Sequence, residues 1–216
     1  MEDIRKKLNN LLSIRKDIVK EIAENVDIIK GEALEDKTKY ATKFDWLGVF
    51  CPSLVLDKVT SGYKKGRILS KQPKSTDYKK CYFNDKGEIL YFENYNKYGC
   101  ESTTCFMNID GALWAVPFIR DGKNEYPSYV HYMVYENGRI KEYAYMEPCD
   151  IWFEEYVYGE ETDEVVCNQY YYVQQKKRGI LQSYRANLLM EKNKVKNMFY
   201  YEIANGVEIL KYVYEK

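Results

Sequence analysis

Between Asp3 and Lys30 the apolar residues Ile4, Leu8, Leu11, Leu12, Ile18, Ile22, Val26 and Ile29 recur three or four positions apart. Arg5, Lys6, Lys16, Asp17, Lys20, Glu21 and Glu24 fill the positions between them, and this period predicts one amphipathic helix. Asp3 stands where a cap belongs and Gly31 just past the last apolar residue, where a terminating glycine belongs. The spacing would also suit a homodimeric coiled coil through this helix. Packing on a sheet of the same chain is favoured, because Asn9, Asn10 and Asn25 interrupt a run of only about four heptads.

Further along, the period changes from helical to alternating. Tyr132–Glu136 and Arg139–Tyr145 are aromatic and β-branched runs separated by Asn137-Gly138. A two-residue type I′ turn needs positive φ at both central positions, so Asn-Gly between two such runs predicts a hairpin. The unit recurs in Cys81–Phe92 around Gly87 and in Phe199–Tyr212 around Asn205-Gly206, and more loosely from Tyr170 through Arg178-Gly179 to Leu181. Other turn signals stand at Tyr98-Gly99, Asp110-Gly111, Asp121-Gly122 and Tyr158-Gly159. Their uneven spacing argues for a meander rather than a solenoid or propeller.

The expected fold is therefore α+β: an N-terminal amphipathic helix (1–30), a connecting segment with short strands (31–80), and an antiparallel meander of about ten strands (81–216), together one globular domain. Within the connection, Leu54–Leu56 reads as a short strand and Ser61–Leu69 as a truncated hairpin. Within the meander, Ile151–Tyr158 alternates. Ile151, Phe153 and Val157 point to the core, and Trp152, Glu154, Tyr156 and Tyr158 form an aromatic-acidic face turned to solvent.

Composition narrows the function classes. The 33 basic residues balance the 33 acidic ones, which argues against general nucleic-acid binding. No apolar run approaches the roughly 18 residues of a membrane span, and the N-terminus has no secretory pattern. Six scattered cysteines read as reduced thiols packed as small hydrophobes, which together with the unsignalled N-terminus suggests the cytoplasm. The outlier is tyrosine, with 23 residues, most of them from Tyr126 onward. Tyrosine suits a pleated surface and equally a recognition surface, since it joins area to a hydrogen-bonding tip.

Chemistry-bearing constellations are sparse. His131 is the single histidine, so a hydrolase using it with a cysteine or carboxylate is an alternative reading. Cys100 and Cys105 have a spacing open to zinc but no second pair, and nothing calls for a metal or cofactor. The densest single-sign cluster is Glu154, Glu155, Glu160, Glu161, Asp163 and Glu164. Beside Trp152 and Tyr156 it reads as an acidic patch meeting a basic protein partner. The candidate partner-binding residues are Trp152, Glu154, Tyr156, Tyr158, Glu160 and Glu161.

The units Tyr82–Tyr91, Val134–Ile140 and Ile203–Leu210 resemble the Tyr/Asn-Gly hairpins of the bacterial immunity and antitoxin proteins that neutralise polymorphic or contact-dependent toxins. That resemblance implies a cytosolic single-domain protein that covers a toxin's active site. The same units are similar to cell-wall-binding repeats, where aromatic cages hold a quaternary ammonium. The motif tryptophans and regular spacing of those repeats are missing here.

Overall fold

The computed structural model describes residues 2–42, 47–60, 65–121, 124–160, 162–174 and 179–215. The chain is α+β, with an N-terminal helix and, among the described residues, a large antiparallel sheet of fourteen strands. β1 (Lys39–Thr42) and β2 (Ile68–Leu69) are short strands of the connecting segment, and the meander itself has twelve strands among the described residues against the expected ten or so, one of them, β7 (Asn124–Pro127), too short to display alternation. The chain divides into two compact units, one of Met1–Ser13, Pro52–Gly62 and Tyr132–Lys216, the other of Ile14–Cys51 and Tyr63–His131. Helix α1 (Glu2–Glu24) and strand β8 (Val130–Glu136) each run across that division.

The helical stripe behaves as its spacing predicts, with Leu8, Leu11, Leu12, Ile18 and Ile22 all buried. Its length does not. The helix breaks at Asn25, whose side-chain amide donates to the Glu21 carbonyl (2.8 Å), and a second helix, α2, covers Val26–Gly31. Asparagine competes for backbone groups in this way, which is why it interrupts helices. Asp3 lies inside the first turn of α1 rather than at its cap, and Gly31 closes α2 without a left-handed conformation.

In the first unit, β9 (Arg139–Met146), β10 (Asp150–Tyr158), β11 (Glu164–Val173), β12 (Ile180–Glu191), β13 (Lys194–Ala204) and β14 (Val207–Glu215) follow one another across the sheet in chain order. Positive φ at Asn137 and Gly138, and at Asn205 and Gly206, gives the two Asn-Gly hairpins the left-handed residues that their turns require. The β12–β13 turn uses Lys192 (φ 50°) and Asn193 (φ 61°), a pair that carries no glycine signal.

The start of α1 lies on one face of this sheet, the helix face. Arg5 stands over the Tyr172 ring (6.0 Å) and Lys7 over the Phe153 ring (4.7 Å). Lys7 also pairs with Glu142 at 2.7 Å. The opposite face carries the segment from Ser53 through Leu54–Leu56, the last three of which sequence reading took for a short strand. It is a loop leading into the one-turn helix α3 (Leu56–Val59), with the Ser53 hydroxyl accepting the Val55 and Leu56 amides. Such local bonds draw serine-initiated segments away from strand.

In the second unit the order is β6 (Ala112–Asp121), β5 (Gly99–Ile109), β4 (Ile89–Asn96), β3 (Tyr78–Phe83), β1, β2, with β7 on β6. Its core gathers Ala41, Leu47, Cys51, Cys81, Phe92 and Phe106, and Phe50 stacks on Phe92 at 5.7 Å. The other face is a tyrosine ladder. Tyr78 stacks on Tyr95 (5.0 Å) and Tyr82 on Tyr91 (4.2 Å), close to the spacing of the strands that carry them. The Tyr82 and Tyr95 hydroxyls both donate to Glu93.

Candidate functional site

Strand register assembles the site on the face of the first unit opposite α1. Alternation puts Trp152, Glu154, Tyr156 and Tyr158 on that face of β10. Pairing sets Tyr145 and Tyr171 either side of Trp152, and Tyr143 and Gln169 either side of Glu154. One strand further, Tyr184 lies beside Gln169. The rings form a continuous row. Trp152 stacks on Tyr184 (6.1 Å, 28°) and tilts against Tyr171 (6.3 Å), while Tyr184 stacks on Tyr200 (5.7 Å, 9°).

Beneath the row lies Glu154, with no exposed surface. Four donors reach its carboxylate: Ser53 Oγ (3.0 Å), Trp152 Nε1 (3.1 Å) and Gln169 Nε2 (2.8 Å) on Oε1, and the Tyr156 hydroxyl (2.5 Å) on Oε2. The same hydroxyl accepts the Leu54 amide at 3.0 Å. A buried carboxylate is tolerable only when its lone pairs are satisfied, and here one group fixes the Trp152 indole, the Gln169 amide and the 53–54 segment together. Burial, then the neighbouring Cys167 and Glu154, pushes the Tyr156 phenol well up, so it stays a donor.

This corrects the reading of an open face on β10. Glu154 and Tyr156 are buried, because the Ser53–Leu54 segment, about a hundred residues earlier, lies on them. Trp152 and Tyr158 are half-buried. Tyr158 donates to the Ile140 carbonyl (2.8 Å) under the Arg139 guanidinium (5.2 Å). Glu160 is exposed in the β10–β11 turn, and Glu161 lies outside the described residues. On the other face Ile151 and Phe153 are in the core as expected, but Val157 is 56% exposed.

Sequence reading missed Tyr171, Tyr184, Gln169, Ser53 and a pair of carboxylates at one end of the row. The Tyr145 hydroxyl donates to Glu147 (2.7 Å) and that of Tyr171 to Asp150 (3.3 Å). Burial raises the Asp150 carboxyl above its ordinary value, with Glu147 adding to it and the Tyr171 hydrogen bond opposing. Only the register between strands joins these residues. The one signal within the chain was the density of tyrosine around 170–172.

His131 has no exposed surface, and its imidazole packs edge-on against Tyr129 at 5.2 Å. Burial, and then Lys79, lowers its pKa to about 3, so it is neutral. Burial pushes the Cys81 thiol up to about 12, with Lys79 pulling the other way, and the Cys167 thiol is raised in the same sense by burial. With no exposed surface, this imidazole is not an accessible base for thiol–imidazole catalysis. Among the described residues no group of three or more His, Cys, Asp or Glu is placed to hold a metal, and no helix is long and apolar enough to cross a membrane. No protein-family model, curated protein or solved structure matches this chain.

Proposed function

We propose that this chain is a cytosolic protein-binding module of the immunity type, which neutralises a toxin by covering its active site. The observation that carries the reading is the half-exposed ring row Trp152–Tyr171–Tyr184, pinned from below by Glu154 and edged by Glu147 and Asp150. Large rings held in one orientation contribute contact area at small entropic cost, and anchors of this kind dominate protein interfaces. Carboxylates at the rim select a basic partner and speed its approach. In this reading Trp152, Tyr158 and Glu160 meet the partner, and Glu154 and Tyr156 hold the anchor in place.

The test is capture of a partner by the tagged chain from its native host, with a salt wash and mass spectrometry of what remains. Retention of one stoichiometric basic protein is expected. Trp152→Ala and Tyr184→Ala should each weaken its capture by more than about 1 kcal/mol under conditions in which both variants stay folded. Loss of melting temperature without loss of capture would show that the row serves stability alone and would sink the proposal.

A further inference from the structure

The balance of 33 basic and 33 acidic residues hides an uneven distribution. Residues 63–82 carry seven lysines and arginines against one acid, Asp77. The second unit gathers this stretch at the β1–β2 end of its sheet. Arg67, Lys71 and Lys74 are exposed there, and among the described residues none of the three pairs with a carboxylate. Unneutralised like charges at one end of a sheet raise a local positive potential that attracts anions.

Strand register sets rings among these cations. The Thr42 amide donates to the Arg67 carbonyl (3.3 Å), and the Arg67 amide donates to Thr42 Oγ1 (3.1 Å). Thr42 is opposite Tyr78, and Tyr78 is opposite Tyr95. Arg67, Thr42, Tyr78 and Tyr95 therefore form one row on the tyrosine-ladder face, about 14 Å long at the ordinary strand spacing. In the next row Tyr40 is opposite Lys80 and Lys80 opposite Glu93. Tyr78 stacks on Tyr95 (5.0 Å), and Tyr40 is tilted by 59° against Tyr78 (6.0 Å). All three rings are half-exposed. The Gln72 amide donates to the Tyr78 hydroxyl (3.0 Å), which holds the 70–77 turn, with Lys71 and Lys74, beside the rings.

Three features select the ligand. The first is charge. Separate cations on the strand end and the turn call for a chain of anionic groups, and Glu93, the carboxylate within these rows, already accepts the Tyr82 and Tyr95 hydroxyls. The second is the rings. A nucleic-acid base stacks on an aromatic side chain, and only an unpaired strand has bases free to do so; a duplex would use the cations and leave the rings idle. The third is the turn itself. Ser70-Lys-Gln-Pro-Lys-Ser-Thr-Asp77 has no aliphatic or aromatic side chain to enter a bilayer.

We propose that this end of the second unit binds single-stranded nucleic acid without sequence preference, with phosphates on Arg67, Lys71, Lys74 and Lys80 and bases on the Tyr40, Tyr78 and Tyr95 rings. The patch lies within the second unit and does not rest on the function proposed above.

The test uses the full chain and a fluorescein-labelled oligo(dT) of about twelve nucleotides, read by fluorescence anisotropy at rising salt. Saturable binding is expected, with log K falling against log salt at a slope of about −2 to −3, the value for three or four phosphates of a single strand. Arg67→Ala, Lys71→Ala and Lys74→Ala together should weaken binding about tenfold or more and flatten that slope. Tyr78→Leu should weaken it about fivefold or more at an unchanged slope, because it removes a stacking ring and no charge. The three cations are exposed, so their combined variant should melt as wild type does, and Tyr78→Leu is compared at temperatures where it is folded. Five results would each overturn the proposal. They are no saturable binding at low salt; equal weakening by Lys192→Ala, Lys194→Ala and Lys196→Ala together, three exposed lysines at the β12–β13 hairpin end; indifference to Tyr78→Leu; equal affinity for a duplex of the same length; or competition by poly-glutamate as effective as by unlabelled oligo(dT), which would assign the patch to an acidic protein.

Discussion

Two buried residues dominate at the scale of single side chains. Glu154 takes four hydrogen bonds where no water reaches. Glu154→Ala would strand those donors, and leaving buried polar groups unmatched costs about 1–3 kcal/mol each before relaxation. A net loss of about 3 kcal/mol in urea unfolding is expected, with Trp152 fluorescence shifted because its indole loses its partner. His131 gives a pH signature. Its pKa falls from 6.5 in a free side chain to about 3 when buried, so folding favours the neutral form. The unfolded chain then binds the extra proton. The contribution is complete above pH 6.5 and is lost as pH falls from 6.5 toward 3. By pH 5 wild type should have lost about 2 kcal/mol relative to neutral pH, and His131→Leu should flatten that slope even if it is less stable throughout. An equal slope in both proteins would mean that other groups carry the acid sensitivity.

At the scale of elements, what was legible depended on how far apart in the chain the cause lay. The Asn137-Gly138 and Asn205-Gly206 hairpins were readable because the turn's φ demand and the residues that meet it are adjacent. The helical stripe was readable for the same reason. Alternation along Ile151–Tyr158 gave the two faces of β10 correctly, yet not which face is covered, because the cover on Glu154 comes from Ser53 and Leu54. A two-residue period carries no information about a loop packed on it. The β12–β13 turn was invisible because Lys192 and Asn193 reach positive φ without glycine. That leaves strain to relieve. Asn193→Gly should stabilise the chain by about 0.5–1 kcal/mol, since glycine adopts the left-handed region at no steric cost, and Asn193→Val should destabilise it. Denaturant midpoints of the two variants against wild type decide the point.

At the scale of the whole molecule, the chain is a ladder of antiparallel neighbours in which each compact unit has well-covered strands and thinly covered ones. In the first unit β10 has both faces packed: Ile151 and Phe153 under α1, Glu154 and Tyr156 under the Ser53 segment. At the end of the same ladder, eight of the nine residues of β14 are exposed, and among the described residues the strand pairs with β13 alone. Opening of β14 therefore uncovers little apolar surface, whereas opening of β10 breaks a core and a buried carboxylate network. Local opening energies follow this difference, from near zero at frayed edges to the global value in covered strands. Amide hydrogen exchange read by mass spectrometry should show β14 exchanging at least about a hundredfold faster than β10 and β11, a gap of about 2.7 kcal/mol or more in opening free energy. Capture of a basic protein on the Trp152 face would leave β14 fast.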